Sequence, residues 1–481
     1  EEFIDLGLYS IKMGFKCFFV IEMPGELDII LERSKVLDVT PNIGIRIKLS
    51  AKAGGHWAES GGDRSVFGLN ISQVIELVDT LKEKNMLHAL KLLHYHLGSQ
   101  IPNIRDIRAA VREATRVYAE LVKEGAPMGY LDLGGGLAVD YDGSNSNYDN
   151  SRNYSVQEYC MDIVESVMSI LDEPEVPHPV IVTESGRALV AYYSVLIFNV
   201  LDVAKIENST IPEVLPEGMN EKIKDLLEVN KSITQKNLQE CFNDAIYYRD
   251  ELKDLFKHGE ISLRERSLSE KIYWNTMKRI AQGTSKLKNI PPDLEDMDST
   301  IADIYYCNFS LFQSIPDSWA IKQLFPIMPI HRLTEVPNNN AVIADITCDC
   351  DGKIDRFIDL HDVKTTLPLH DYNGKDQYYL GVFLVGAYQE TLGDLHNLFG
   401  DTNVVSIRIS NDGKFDFTNE LHGDSVSDVL TYVEYDPKVM RLRFRETAEE
   451  AVNSGLISAK DRRVIMDSFD NGLRGYTYYE R

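Results

Sequence analysis

The chain has 481 residues, 43% of them hydrophobic, and a formal net charge of −25. That length supports two or three domains with a substantial core, and the acidic balance argues against nucleic acid or an anionic membrane as partner while suiting a small cationic substrate. Six cysteines (Cys17, Cys160, Cys241, Cys307, Cys348 and Cys350) lack zinc-finger spacing and suit a reducing compartment, and no apolar run reaches membrane-spanning length.

Residue 1 is Glu, and Phe3, Leu6, Leu8, Ile11 and Met13 already have helical spacing, so the sequence reads as a domain entered partway through. From there to residue 204, strand-like runs at 17–22, 44–50, 90–98, 130–136 and 180–186 alternate with helical stretches. Amphipathic runs cover 71–85 and 104–124, and a third opens at Ser155, where Glu158 completes a capping box. Strands spaced this way need crossover helices, so a parallel sheet is expected. Five βα units fit a doubly wound sheet as well as part of an eight-stranded barrel. The strand ends favour the barrel: Glu22, Lys48, His96 with Ser99, three glycines, and Glu184 with Arg187 would converge on one mouth. With 180–186 as the eighth strand, three strands are expected before residue 1.

Residues 205–298 change character. Leu226, Leu227, Leu238, Phe242, Ile246, Leu252, Leu255 and Phe256 recur at three- and four-residue spacings, which predicts an insertion of two or three antiparallel helices. Short alternating runs at 304–309, 341–347, 378–385 and 404–409, with Asp351-Gly352 and Asp412-Gly413 as turns, predict an antiparallel β-domain over 299–434. Residues 435–481 return to helix and end in an aromatic tail.

Four places could carry chemistry. The strand Tyr130, Leu131, Asp132, Leu133 stops at Gly134, Gly135 and Gly136, ahead of Leu137, Ala138, Val139 and Asp140. Backbone N–H groups can converge on an anion there, phosphate above all, although a tight turn with nothing bound is the plain alternative. A dinucleotide fingerprint fits poorly, because Val139 stands where a third glycine belongs. His94 and His96, two apart on a strand, share a face. They read as a metal pair, as core histidines, or as one ring stacked on a flat cofactor whose phosphate Ser99 reaches. Glu184 and Arg187 read as an ion pair by default; after a phosphate loop, the acid can keep a pyridinium nitrogen protonated while the arginine binds phosphate. Thr347, Cys348, Asp349, Cys350, Asp351 and Gly352 read as a β-turn, and two close cysteines with no second pair do not make a zinc site.

The segments SGGDRSVFGLN, LLHYHLGSQIPNIRDI, LDLGGGLAVDY, TESGRALVA, NFSLFQSIPDSWAI, QLFPIMPI, DITCDCDGKID, GAYQETLGDLHNLFGD and GLRGYTYYE, in this order, resemble the biosynthetic, pyridoxal-phosphate-dependent arginine decarboxylases through essentially the whole chain. The resemblance implies a (β/α)8 barrel of the alanine-racemase type, a helical insertion absent from the shorter ornithine and diaminopimelate decarboxylases, and a C-terminal β-domain. It implies His96 stacked on the cofactor ring, Ser99 on the phosphate, and residues 134–136 as a phosphate cradle within a 130–140 segment that binds substrate and cofactor. Glu184 would meet the pyridine nitrogen, Arg187 and Tyr388 the phosphate, and Arg46 the barrel wall beside the cofactor. Cys348 as proton donor and Asp349 near the substrate's distal cation would act in a neighbouring subunit, which implies a homodimer or a higher assembly. Magnesium and a cytoplasmic location are implied as well.

The expected reaction converts L-arginine to agmatine and CO2 at the head of a polyamine route. Another basic amino acid as substrate (ornithine, lysine or diaminopimelate), or a catalytically inactive regulatory paralogue, are the alternatives; a metallohydrolase using His94 and His96 is a remoter one. The sequence departs from the family twice. Val66 replaces a lysine common in the wider family, and the lysine that binds the cofactor covalently, carried by the family on the first barrel strand, has no counterpart here. Lys48, beside Arg46 on a later strand, does not fill that role. The absent lysine and the strand count agree in placing a segment before residue 1, without which this chain is expected to be inactive.

Overall fold

Five short apolar strands organise the N-terminal part of the computed structural model: β1 (Phe19–Ile21), β2 (Ile43–Arg46), β3 (Leu90–His94), β4 (Tyr130–Asp132) and β5 (Val180–Val182). The structure describes all residues except 56–61, 63–64, 173–175, 207–209, 361 and 481. Ser60, Gly61, Asp63 and Arg64 of the SGGDRSVFGLN segment therefore lie outside the described residues. The chain divides into two units, one of Glu1–Val195 with Gln323–Pro326 and Phe383–Tyr388, the other of Leu196–Lys322, Ile327–Val382 and Gln389–Arg481.

In the first unit β1 to β5 pair in chain order, and every pair is parallel. A doubly wound sheet reverses its order at a switch point; this one advances one neighbour at each crossover, which is how a barrel winds. Helix α1 (Glu2–Lys12) precedes β1, the crossovers carry α2 (Glu26–Leu37), α3 (Ile71–Glu83), α4 (Ile104–Lys123) and α5 (Val156–Leu171), and α6 (Gly186–Val190) follows β5. Ser155 and Glu158 form the expected capping box at the start of α5, and Asn70 with Gln73 forms another at α3. The apolar faces meet in a core that includes Ile21, Ile45, Leu93, Leu131, Val78 and Val111.

In the second unit β6 (Val195–Ala204) leads to α7 (Glu221–Ser232), α8 (Leu238–Lys257) and α9 (Leu263–Thr284), which share a core of Ile223, Leu226, Leu238, Ile272, Met277 and Ile280. Gly283 is there for contact: a Cβ at that position would stand 2.6 Å from Leu238 Cδ2. After α10 (Met297–Thr300) come β7 (Asp303–Cys307), α11 (Leu311–Ser314), α12 (Pro316–Ala320), β8 (Ile327–Pro329), β9 (Asn339–Ala344), β10 (Lys353–Ile354), β11 (Phe357–Ile358), β12 (Val363–Lys364), β13 (Leu367–Leu369) and β14 (Tyr379–Phe383). Their main sheet has the order β10-β9-β7-β6-β14-β8, with β13 on β9. The pairing of β7 with β9 departs from the antiparallel expectation, because the two strands are parallel. The reason is the long connection between them, whose helices return the chain to the same end of the sheet, a path that a hairpin turn lacks.

A separate hairpin, β15 (Val404–Ile409) and β16 (Phe415–Leu421), turns at Asp412-Gly413 as predicted. Helices α13 (Val426–Tyr432), α14 (Pro437–Asn453) and α15 (Ala459–Arg474) follow. The aromatic tail is a set of ties: Asn403 N–H donates to Tyr476 at 3.0 Å, Tyr478 donates to the Gly400 carbonyl at 2.9 Å, and Asn308 exchanges two bonds with the Tyr479 backbone. Leu131 is fully buried at the centre of the parallel sheet. Leu131→Ala is expected to destabilise the first unit by about 2–5 kcal/mol, read as a lower urea midpoint.

Candidate active site

The site begins with register. Arg46 on β2, His94 on β3 and Asp132 on β4 are direct neighbours across the sheet, and Asp132 pairs with Val182 on β5. Two residues beyond each, on the same face, come Lys48, His96, Gly134 and Glu184, so adjacent loops leave the sheet side by side.

The glycine turn is closed by backbone contacts. Gly134 has φ +63°, its N–H donates to Asp132 Oδ1 at 2.9 Å, and its carbonyl accepts from Glu184 N at 2.8 Å. A Cβ on Gly134 would stand 2.4 Å from the Tyr95 carbonyl oxygen, and one on Gly136 (φ +117°) 2.5 Å from Ile101 Cδ1. Gly135 N–H donates to His96 Nδ1 at 3.2 Å, which leaves the imidazole proton on Nε2. Burial, then the charge of Arg46, lowers the His96 pKa, so the ring is neutral at neutral pH. His96, Gly135 and Glu184 thus converge on one rim.

Beneath the rim lies a trio. His94 Nδ1 is 3.2 Å from Asp132 Oδ2, both residues are buried, and Glu184 brings a ligand atom within 4.8 Å of both. His94 Nδ1 has no aligned hydrogen-bond partner, so this is a close polar contact. Burial, then the neighbouring Asp132, raises the Glu184 pKa; Asp132, although burial opposes it, is held low by His94 and the Gly134 N–H. A raised carboxyl is suited to share a proton with a ring nitrogen. His94 and His96 do not form the metal pair that their spacing allows, since one faces Asp132 and the other is tied to Gly135. Among the described residues the clusters with converging ligands are His94–Asp132–Glu184 and Asp349–Cys350–Asp351, and neither has the all-oxygen set that magnesium prefers.

Arg187 does not turn to Glu184, its default ion-pair partner, but to Ser99, with which the resemblance groups it. It is buried, donates from Nε to Ser99 Oγ at 3.1 Å and from Nη1 to Tyr141 at 3.0 Å, and lies 4.7 Å from the Tyr388 ring centre. A buried guanidinium among hydroxyls and an aromatic face fits the charge of a phosphate. Tyr388 has φ +68°, rare for an aromatic residue, and a Cβ on Gly386 just before it would stand 1.9 Å from the Val190 carbonyl oxygen. Arg46 pairs with Glu22 at 2.5 Å and lies over Phe67.

Within 130–140 most side chains are structural. Leu131, Leu133, Leu137, Ala138 and Val139 are buried in the core, Tyr130 packs edge-on to Phe18, and Asp140 accepts from Ser151. The backbone donors of Gly134 and Gly135 are themselves engaged, by Asp132 and His96, so the anion cradle expected from three converging N–H groups is not the arrangement of this turn. Sequence reasoning missed Tyr141 and Gln100; buried Gln100 exchanges two bonds with Val139 and fixes the loop that follows the glycines. Gln100 sits at the end of the quoted LLHYHLGSQ stretch, but nothing in its spacing named a partner 39 residues away. Val66 is exposed. Cys348 and Asp349 stand on a turn of the second unit.

Barrel-type winding, a glycine turn, a neutral imidazole fixed at its rim, a raised carboxyl and a buried arginine define a pyridoxal-phosphate enzyme of the alanine-racemase barrel type. Residues 9–191 match the family model of the pyridoxal-dependent decarboxylase pyridoxal binding domain, 216–298 the arginine decarboxylase helical bundle domain, and 426–479 the arginine decarboxylase C-terminal helical extension. The chain is 46% identical over 481 residues to the biosynthetic arginine decarboxylase of Phocaeicola vulgatus, covering 100% of this chain and 76% of that one. It is 45% identical over 484 residues to that of Gloeobacter violaceus, covering 99% and 75%. The solved biosynthetic arginine decarboxylase of Campylobacter jejuni matches with a TM-score of 0.83 at 33% identity, covering 100% of this chain and 76% of that one. Diaminopimelate decarboxylase of Helicobacter pylori shares the fold, with a TM-score of 0.55 at 14% identity over 90% of this chain and 75% of that one. The chain belongs to the biosynthetic arginine decarboxylase family.

Two predictions follow from the rim. Gly134→Ala is expected to lower the melting temperature and abolish pyridoxal phosphate binding in a fluorescence titration, since φ and the Tyr95 carbonyl both exclude a side chain. Because the folded Glu184 pKa is raised, the stability it contributes is present at acid pH and is lost as pH rises through the folded value. Glu184→Gln should therefore match the parent at about pH 4 and gain in relative melting temperature toward about pH 8.

Proposed function

We propose that this protein decarboxylates L-arginine to agmatine and CO2. The supporting observation is the meeting of His96, residues 134–136 and Glu184 on one rim, with Arg187 and Ser99 joined beside them. When bound, pyridoxal phosphate supplies an electron sink for the pair left behind as CO2 departs.

The chain's own residues do the holding. His96, its Nδ1 tied to Gly135 N–H, offers a neutral ring for stacking. Ser99, Arg187 and Tyr388 bind phosphate beside the glycine turn, and Arg46 lines the wall near the ring. Glu184, whose carboxyl is raised above its ordinary range by burial and by Asp132, faces the pyridine nitrogen and shares a proton with it. Cys348 returns a proton to the carbon that lost CO2, and Asp349 faces the guanidinium; both serve the neighbouring subunit of a homodimer or larger homo-oligomer. The net charge of −25 favours approach of a cationic substrate. No helix among the described residues is long and apolar enough to cross a membrane, and we place the enzyme in the cytoplasm; magnesium rests on the family resemblance alone, since neither cluster of converging ligands fits it. We divide the chain into a barrel part at 1–204, whose last strand β6 pairs in the sheet of the second unit, a helical insertion at 205–298, a β-domain at 299–434 and a tail at 435–481.

The intact protein carrying this chain, supplied with pyridoxal phosphate, is expected to release CO2 from arginine and to give agmatine by mass spectrometry, with ornithine, lysine and diaminopimelate left unreacted. Product from one of those amino acids alone would reassign the substrate; no CO2 from any would favour the regulatory paralogue. His96→Ala and Glu184→Ala should each lower kcat by on the order of 10²-fold.

A further inference from the structure

The turn that carries Cys348 is braced from below. Buried Asp345 accepts from Leu311 N at 2.8 Å, Thr347 N at 2.9 Å and Thr347 Oγ1 at 2.8 Å, and its own N–H donates to the Gly352 carbonyl at 2.8 Å. A Cβ on Gly352 would stand 2.2 Å from Asp345 Oδ1, so the turn closes only on glycine. These contacts define the backbone of the turn and leave the Cys348 side chain exposed at its crest.

A second contact reaches that side chain. Cys348 N–H donates to Asn397 Oδ1 at 2.8 Å, and Asn397 Nδ2 donates to Cys348 Sγ at 3.5 Å, so one amide grips both backbone and thiol. Asn397 has φ 56° and ψ 23°, a left-handed conformation that asparagine tolerates better than most residues. His396, next in the chain, has its ring 4.5 Å from that of Phe312 and its Nε2 3.7 Å from Asp349 Oδ2. Two consecutive residues of one loop therefore address the two consecutive residues that the decarboxylation reading uses.

We propose that Asn397 is a positioning residue for Cys348: Oδ1 anchors the backbone, and Nδ2 holds Sγ in one rotamer and stabilises its thiolate. The inference rests on the reading of Cys348 as proton donor. In that step the S–H bond breaks and a C–H bond forms at the carbon that lost CO2. The electron pair of the former C–CO2 bond enters the new C–H bond, and the S–H pair stays on sulfur until water returns a proton. An N–H aimed at sulfur favours the anionic form.

Two substitutions separate this role from bracing the turn. Asn397→Asp keeps an oxygen for the Cys348 N–H but removes the donor to sulfur, whereas Asn397→Ala removes both. Alkylation of Cys348 by iodoacetamide, scored by mass spectrometry against exposed Cys350, reads the thiol directly and needs no turnover. In Asn397→Asp the Cys348 rate relative to Cys350 should fall at least about threefold, with kcat down roughly tenfold, KM within about twofold and the melting temperature unchanged. Asn397→Ala should show the same losses with a lower melting temperature. Parental alkylation in Asn397→Asp overturns the proposal, and so does parental kcat in that variant while Cys348→Ala is impaired. Parental kcat in Cys348→Ala removes the donor reading and the inference with it, an outcome that the alkylation ratio tells apart from failure of the grip.

Discussion

The site depends on the register of one parallel sheet. Because His94, Asp132 and Val182 lie abreast, the loops that carry His96, Gly134 and Glu184 leave the sheet side by side. A slip of one residue on β3 would exchange His96 for a core-facing neighbour and turn Leu97 toward the ligand. The slip is blocked by burial, since Leu90, Leu92, Leu93 and Tyr95 fill the core in the observed register. Local bonds then refine what the sheet sets: Asp132 to the Gly134 N–H, Gly134 to Glu184, and Gly135 to His96.

Asp132 carries a second burden in this arrangement. Its two oxygens divide between the glycine turn and His94, so that turn and the carboxyl that suits a ring nitrogen share one buried anion. Displacing Asp132 would release the Gly134 N–H and also remove a charge that raises the Glu184 pKa. In the proposed reading the two ends of a flat phosphorylated ligand would thereby be coupled through protein, and Arg187, bonded to Ser99 and Tyr141, would support the phosphate end.

Much of this was legible in the sequence because it is written in local pattern. The runs at 17–22, 44–50, 90–98, 130–136 and 180–186 contain the five parallel strands, and Ser155 with Glu158 marked the start of α5. Polar residues at strand ends pointed to the rim. Other contacts were not legible, because they join residues far apart. Glu184 and Arg187 looked like a pair at a spacing of three, yet Arg187 reaches Ser99, 88 residues earlier. The parallel pairing of β7 with β9 was hidden for a related reason, since alternation reports which face is buried and not which way the neighbouring strand runs. Asn397 had no signal at all, because its importance lies in facing a turn 49 residues away.

The quoted segment GAYQETLGDLHNLFGD, with Leu384 two residues ahead of it, holds several residues in left-handed backbone. Between Leu384 and Leu398 four non-glycine residues have positive φ: Leu384 at 64°, Tyr388 at 68°, Asn397 at 56° and Leu398 at 60°. Each such conformation is held at a cost of about 1–3 kcal/mol and persists only where the surroundings over-determine it. The surroundings here are close backbone contacts. A Cβ on Gly386 would collide with Val190 and one on Gly393 would stand 2.5 Å from the Gln313 carbonyl oxygen, while buried Gln389 exchanges bonds with Asp317. Strain of this kind gives a side chain one direction rather than several. Tyr388, turned so that its ring covers Arg187, and Asn397, turned so that its amide grips Cys348, are the two residues of the segment whose direction has chemical use. The tight packing between them is what makes those directions affordable.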